Sequence, residues 1–374
     1  MSERIDSGSA APCRQETKDD RQRAADPLWQ MPAEWSPQEA VWLSWPCNRD
    51  SAPETHEALQ AKFGELAATI SRFETVRINA EGAWHQCIYQ SITAQRGDMK
   101  RVELYDHPTN DVWCRDHGPI FVKNRDTGAL ALTDWQFNAW GGKFPPWDMD
   151  DQIPQRIADA LKLPRFESKM IFEGGSIEVN GNGVLLTTEA VLLNKNRNPD
   201  WSRMEIEAEI KRLLGVQSVF WLGQGIEGDD TDGHIDDITR FIREDVVLTM
   251  VEKRDSDPNY RTLEANRERL ADLRTLNGGS VEVLTLEMPE PLRTRGDWRL
   301  DRLPASYGNF LIINGAVLVP IFDQGRRDKN ALGFIGECFP GREIIGIEAS
   351  DLVFEGGAIH CISQQQPLSG KTNS

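Results

Sequence analysis

A single α/β domain is the fold class this sequence predicts, and three observations predict it. Segments with strand and helix patterns alternate along the whole length. No Pro-, Gly- or Ser-rich linker divides the 374 residues, which suffice for one large closed architecture. A short repeat, Phe172-Glu-Gly-Gly-Ser-Ile-Glu178 and Phe354-Glu-Gly-Gly-Ala-Ile-His360, points to duplicated supersecondary units arranged about an axis or stacked.

Residues 1–27 read as a flexible tail, and Pro27-Leu28-Trp29 begins the ordered part. Residues 40–45 form the first expected strand. Leu59, Phe63, Leu66 and Ile70 recur at helical spacing, so 53–73 is an amphipathic helix before a strand at 76–79. A helix over 82–95 follows, then strands at 101–105, 112–122 and 130–137. The next helix, 148–163, has an aspartate-rich first turn, as the helix dipole favours. Three more helices are expected over 203–214, 259–276 and 329–339, among strand groups at 169–193, 218–251, 280–286 and 309–322. The domain is expected to span 28–367 and to end in a second flexible tail, 368–374.

A net charge of −17 repels phosphate backbones and anionic lipid, and draws small cations into any cleft lined with carboxylates. Neither nucleic acid nor a membrane is therefore an expected partner. The six cysteines (13, 47, 87, 114, 338 and 361) are widely spread and form no C-x-x-C pair, so neither a disulfide framework nor a structural zinc site is suggested. The N-terminus lacks the apolar core of a secretion signal, and the best apolar run, Phe310–Phe322, is short and interrupted. A cytoplasmic location is expected.

Three stretches carry candidate chemistry. Residues 227–237 hold six carboxylates and His234 and run into an apolar segment. If 233–242 is a strand, His234 and Asp236 share a face, and a carboxylate beside an imidazole favours its protonated form. Such a pair can stabilise a thiolate, relay a proton or hold a cation. Cys361 follows a Gly-Gly pair and precedes three glutamines and a proline; by period two, His360 faces away from it. Asn110-Asp-Val-Trp-Cys-Arg-Asp-His-Gly-Pro119 places Trp113, Arg115 and Asp116 before a turn.

Taken in order, Trp-x-Arg-Asp-x-Gly-Pro, Glu-Gly-Gly, Asp-Gly-His-Ile-Asp and Ile-His-Cys-Ile-Ser-Gln-Gln-Gln-Pro resemble the agmatine deiminase family and its bacterial peptidylarginine deiminase relatives. Met31–Trp35, Val41–Pro46, Asn138–Gly142 and Trp147–Asp151 extend the resemblance over about residues 30–367. It implies the pentein fold, a five-bladed α/β propeller with pseudo-fivefold symmetry, and a guanidine-modifying cysteine enzyme that needs neither cofactor nor metal. The family's nucleophile falls on Cys361, its general acid/base on His234, and its guanidinium-holding carboxylates on Asp116 and Asp236. Glu173 matches the acid that supports the histidine, Trp113 an aromatic residue beside the substrate channel, and Asp230 an acid near the substrate. Asp232 and Asp237 replace asparagines common in well-studied agmatine deiminases, and Glu355 a frequent glycine. The resemblance further implies a homo-oligomer, which light scattering tests.

The expected reaction is attack of the Cys361 thiolate on a guanidinium held by two aspartates, loss of ammonia through an amidino-cysteine intermediate, and hydrolysis by water activated at His234. Agmatine, giving N-carbamoylputrescine, is the leading substrate, with peptidylarginine the alternative. Other classes fit less well. An EF-hand reading of 230–233 puts Gly228 and Thr239 at ligand positions, and Gly223-Gln-Gly-Ile-Glu-Gly228 would set carboxylates against a pyrophosphate. An acidic-loop binding or scaffold protein would have no need of Asp116, Glu173, His234, Asp236 and Cys361 together.

Overall fold

Five sheets of one pattern make up the mixed α/β fold among the described residues, which in this computed structural model are 28–49, 55–293 and 302–370. In each sheet an antiparallel pair is followed by a crossover helix and a parallel strand. The first pairs Ile120–Asn124 with Leu130–Gln136 and, after the helix Ile153–Leu161, adds Arg165–Ile171; Trp29–Gln30 lies on its edge. The second joins Ile177–Val179, Val184–Thr188 and Ser218–Leu222. Thr239–Arg243, Val246–Val251 and Glu282–Glu287 form the third, and Leu311–Ile313, Ala316–Ile321 and Glu343–Glu348 the fourth. The fifth uses both ends of the chain: Ser363–Pro367 runs antiparallel to Gln38–Ser44, which continues into Thr75–Ala80 and Val102–Asp106.

Local chemistry explains the elements that match expectation. Helix Arg203–Leu214 opens on a capping box, in which Ser202 accepts from Glu205 N and Glu205 accepts from Ser202 N, and closes at left-handed Gly215. Its Ile206, Ile210, Leu213 and Leu214 are buried, one helical stripe facing the sheet. Asn314-Gly315 turns the hairpin of the fourth sheet, with Gly315 at φ +74°. The Asn314 side chain also bridges to the fifth sheet through Gln38 N and O.

Elsewhere tertiary demand overrides the pattern. The expected strand 112–122 begins only at Ile120, because Cys114–His117 is a helical turn that buries Arg115 and Asp116 together. Residues 233–238 are not strand either: a 3-10 turn, Ile235–Asp237, precedes the strand, so His234 and Asp236 meet without period-two alternation. The helix expected over 148–163 starts at Ile153. Asp150 and Asp151 instead cap outside groups, accepting from Asn110 N, Asp111 N and Phe137 N. The helix expected to 276 ends at Leu270, and Glu343–Glu348, Ser350–Glu355 and Ser363–Pro367 are elements the apolar pattern does not announce. The tail 1–27 lies outside the described residues, as do 371–374; Leu368 and Gly370 donate backbone hydrogen bonds to Pro37 and Gly128.

Candidate active site

The five sheets bring their entry segments together. Asp116 precedes the first strand of one sheet, Glu173 of the next, His234 and Asp236 of the third, Asn309 of the fourth and Cys361 of the fifth. All six side chains are buried, and the contacts below join them into one cluster.

Cys361 Sγ donates to Asp236 Oδ2 at 3.8 Å and accepts from Asn309 Nδ2 at 3.1 Å. The same Asn309 Nδ2 also donates to Asp237 Oδ1 at 3.0 Å. Burial first, then Asp236, Asp237 and Asp116, push the Cys361 thiol well above its ordinary range, which favours its protonated form. The Asp237 carboxyl is likewise pushed well above the usual carboxylate range, by burial first and then by Asp236 and Asp229.

His234 is surrounded by acids that do not quite reach it. Nδ1 is 3.7 Å from Asp116 Oδ1, Nε2 is 4.0 Å from Glu173 Oε2, and neither nitrogen has a hydrogen-bond partner. Burial lowers its pKa, but Asp116, Asp236, Glu173 and Asp229 outweigh burial, and the net shift is upward. Asp116 accepts from Trp140 Nε1 and Gly175 N, both at 3.0 Å. Burial drives its carboxyl up to about 6 against the attraction of His234, with Asp236 and Glu173 adding to the rise. Asp236 Oδ2 is tied to His360 Nδ1 at 2.7 Å, while its Oδ1 is buried and unpartnered. Those His360 contacts hold Asp236 below the usual range despite burial.

Trp113 closes one side. It stands edge-on to Trp140 at 6.4 Å, and a Cβ on Gly357 would lie 2.5 Å from the Trp113 ring and 3.2 Å from Cys361 Sγ. Gly357 thus lets the indole approach the thiol. Asp230 sits on the half-buried loop whose carbonyl accepts from Lys143 Nζ at 2.6 Å. Asp232 pairs with Lys143 and Arg197, and Glu355 takes the Thr55 hydroxyl.

Several contributors escaped the sequence reading. Arg197 fixes Glu173 Oε1 at 2.5 Å; its signal was a polar Asn-Lys-Asn-Arg-Asn run after an apolar segment. Trp140, at φ +56°, explains the Asn138–Gly142 motif by its bond to Asp116. Beneath Asp236 lies a buried charge lattice. His360 bridges Asp236 to Glu34 at 2.8 Å, and Arg240 bridges Glu34 at 2.8 Å to Glu178 at 2.9 Å. Arg115 Nη1 donates to Gln364 and Gln365, which gives two of the three glutamines their role. Glu34, Glu178 and His360 converge closely enough to hold a metal ion, but Arg240 is the cation that both carboxylates engage.

Gly175 offers a direct check on this geometry. A Cβ there would fall 2.6 Å from His234 Nδ1 and 2.8 Å from Asp116 Oδ1, although the backbone itself tolerates alanine. Gly175→Ala is expected to lower kcat/KM about 100-fold with an unchanged circular dichroism spectrum. Near-normal turnover would mean that His234 and Asp116 need no such spacing.

The model of the Porphyromonas-type peptidyl-arginine deiminase family matches residues 30–367. An agmatine deiminase of Medicago truncatula is 39% identical over 364 residues, covering 90% of this chain and 96% of the relative. One of Pseudomonas syringae pv. tomato is 37% identical, covering 91% and 96%. Among solved structures, the agmatine deiminase of Enterococcus faecalis superposes with a TM-score of 0.86 at 32% identity, covering 96% of this chain and 99% of that one. That of C. jejuni gives 0.79 at 30% identity, covering 92% and 98%.

Proposed function

The chain belongs to the agmatine deiminase family, within the Porphyromonas-type peptidyl-arginine deiminases, and from that premise we propose that its site hydrolyses agmatine to N-carbamoylputrescine and ammonia. The protein is a hydrolase acting on C–N bonds. One observation carries the substrate assignment: buried Asp116 and Asp236 flank the thiol, Asp236 Oδ1 has no partner, and no lysine or arginine touches either carboxylate among the described residues. A planar guanidinium satisfies both charge and hydrogen bonding there.

The cation also answers how the thiolate forms. Acids around Cys361 oppose its ionisation, and a bound guanidinium cancels their field, so the thiol proton passes to solvent when substrate arrives. Sγ then bonds to the guanidinium carbon, and His234, protonated, gives its proton to one departing nitrogen as the C–N bond breaks. Ammonia leaves an amidino-cysteine. Neutral His234 next takes a proton from water, the hydroxide adds to the same carbon, and cleavage of the C–S bond, with the added hydroxyl's proton passing to the departing sulfur, frees the ureido product and restores the thiol. Arg197 holds Glu173 so that it faces His234.

We take residues 28–367 as one pentein domain of five blades about a common axis; five sheets of one connectivity, closed by the pairing of both chain ends, support this. A homo-oligomer in the cytoplasm, taking a small cationic guanidinium and neither nucleic acid nor membrane, completes the reading. No helix among the described residues is long and apolar enough to cross a membrane.

Ammonia release from agmatine, free arginine and an arginine peptide, with EDTA present, tests the assignment. Preference for agmatine is expected; preference for the peptide would move the chain to the peptidylarginine reaction. The pH profile is a second check. Asp116 must be ionised to grip a cation and takes up its proton at about 6. So kcat/KM is expected to fall as pH drops below that value, and a flat profile between pH 5 and 7 would remove Asp116 from binding.

A further inference from the structure

We propose that His360 is a positioning residue for the deimination, tying down one oxygen of Asp236 and leaving the other free to take the guanidinium. The inference rests on the agmatine reading above and reaches beneath it, to what makes the two gripping carboxylates unlike each other.

The His360 ring is 1% exposed and lies between two carboxylates, with Nδ1 2.7 Å from Asp236 Oδ2 and Nε2 2.8 Å from Glu34 Oε2. Its backbone is fixed on both sides. His360 N donates to Asn309 Oδ1 at 2.9 Å, and the His360 carbonyl accepts from Arg115 Nε at 3.3 Å. Glu34 is fixed as well, because Oε1 accepts from Ile312 N at 2.7 Å and Oε2 from Arg240 Nη2 at 2.8 Å. Facing carboxylate oxygens at both ends, the ring serves them by donating from both nitrogens. Asp236 Oδ1 then remains buried and unpartnered.

Three aspartates surround the thiol, and they are not equivalent. Burial is the largest influence on each and raises all three. It prevails at Asp116, pushed up to about 6, and at Asp237. Their hydrogen-bond donors, Trp140 Nε1 and Gly175 N for one and Asn309 Nδ2 for the other, are neutral. Only Asp236 ends below the ordinary range, and what opposes burial there is first the His360 hydrogen bond, then its charge, then His234 and Arg240.

The charged groups around the ring come from five segments. Asp236 lies on the turn before the third sheet, Glu34 on the N-terminal segment, Glu178 on the second sheet, Arg240 on the third, and Arg115 on the turn Cys114–His117. Three acids meet two guanidinium groups, and His360 is the third base. Without it, burial acts on Asp236 against His234 and Arg240 alone. A raised Asp236 takes up its proton at higher pH, so the grip on a cation fails earlier as pH falls.

The test compares two variants. His360→Gln has an amide long enough to reach toward Glu34 and leaves Asp236 unpaired; the shorter amide of His360→Asn retains a donor for Asp236 but no charge. At pH 7 His360→Gln is expected to raise KM for agmatine about 30-fold with kcat within about fivefold. The acid limb of its kcat/KM profile should move up by at least about one pH unit. His360→Asn is expected to fall between wild type and His360→Gln in both readouts. A merely structural role predicts a lower kcat at every pH, an acid limb where wild type has it and no rescue by asparagine, and that result would overturn the inference. Nitrogen NMR of histidine-labelled wild type reads the ring without activity, its signals assigned by their loss in either variant. Both His360 nitrogens are expected to carry protons, and a bare acceptor nitrogen would overturn the inference whatever the substrate. Wild type that leaves agmatine unhydrolysed while both nitrogens are protonated would overturn the agmatine reading alone.

Discussion

Cys361→Ser is expected to lower kcat for agmatine by on the order of 10⁴-fold or more while changing substrate affinity less than about threefold. A hydroxyl ionises far less readily than a thiol, and nothing in the site is arranged to deprotonate one. His234 is held toward its protonated form by four acids and lacks a hydrogen bond to residue 361. The groups that would grip the guanidinium, Asp116 and Asp236, keep their other partners in the variant: Trp140 and Gly175 for one, His360 for the other. Single-turnover ammonia release gives the rate, and calorimetry with agmatine gives the affinity. Mass spectrometry of acid-quenched wild type should add an amidino group at Cys361 that the variant lacks. Turnover within tenfold of wild type would eliminate the covalent mechanism.

Arg240→Met should carry the largest stability effect, a loss of about 3–5 kcal/mol at pH 7. The guanidinium is wholly buried between Glu34 and Glu178 and also donates to the carbonyls of Gly308 and Phe310. Without it two buried carboxylates lose their main counter-charge. The sign of the pH dependence follows from Glu34. Burial alone would raise its pKa, yet Arg240, His360 and Arg115 together hold it well below the usual carboxylate range. A depressed folded pKa contributes stability above the unfolded value and loses it as pH falls. The gap between wild type and Arg240→Met in urea unfolding should therefore be widest near neutrality and narrow below about pH 4. A gap that stays constant through acid would mean that packing, rather than charge, accounts for the loss.

The lattice also shows why part of the site was legible in one dimension and part was not. Cys361, His234, Asp116, Asp236 and Glu173 stand in short motifs whose residue types already state the chemistry, and the fold gathers all five. Asn309 and Arg197 carry no such signal, because a lone polar residue gains a role only when a distant segment meets it. The glutamine strand 363–367 went unrecognised because its burial is polar, with Arg115, Arg77 and Trp42 as partners instead of aliphatic neighbours. Asp150 and Asp151 looked like helix-start residues, and longer-range backbone donors claimed them first.

By itself the sequence determined the alternation of strands and helices, the acidic character of the cleft and the inventory of reactive groups, since periodicity, net charge and residue type are local properties. Only the tertiary structure decided which of those groups meet and in which direction each is pushed in its proton affinity. That the Cys361 thiol and the Asp237 carboxyl are both pushed upward and that His360 serves Asp236 and Glu34 instead of the sulfur all depend on distances of a few ångströms and on burial. Those quantities arise when five sheets bring their entry segments to one place, and charge interactions there are strong because water is excluded.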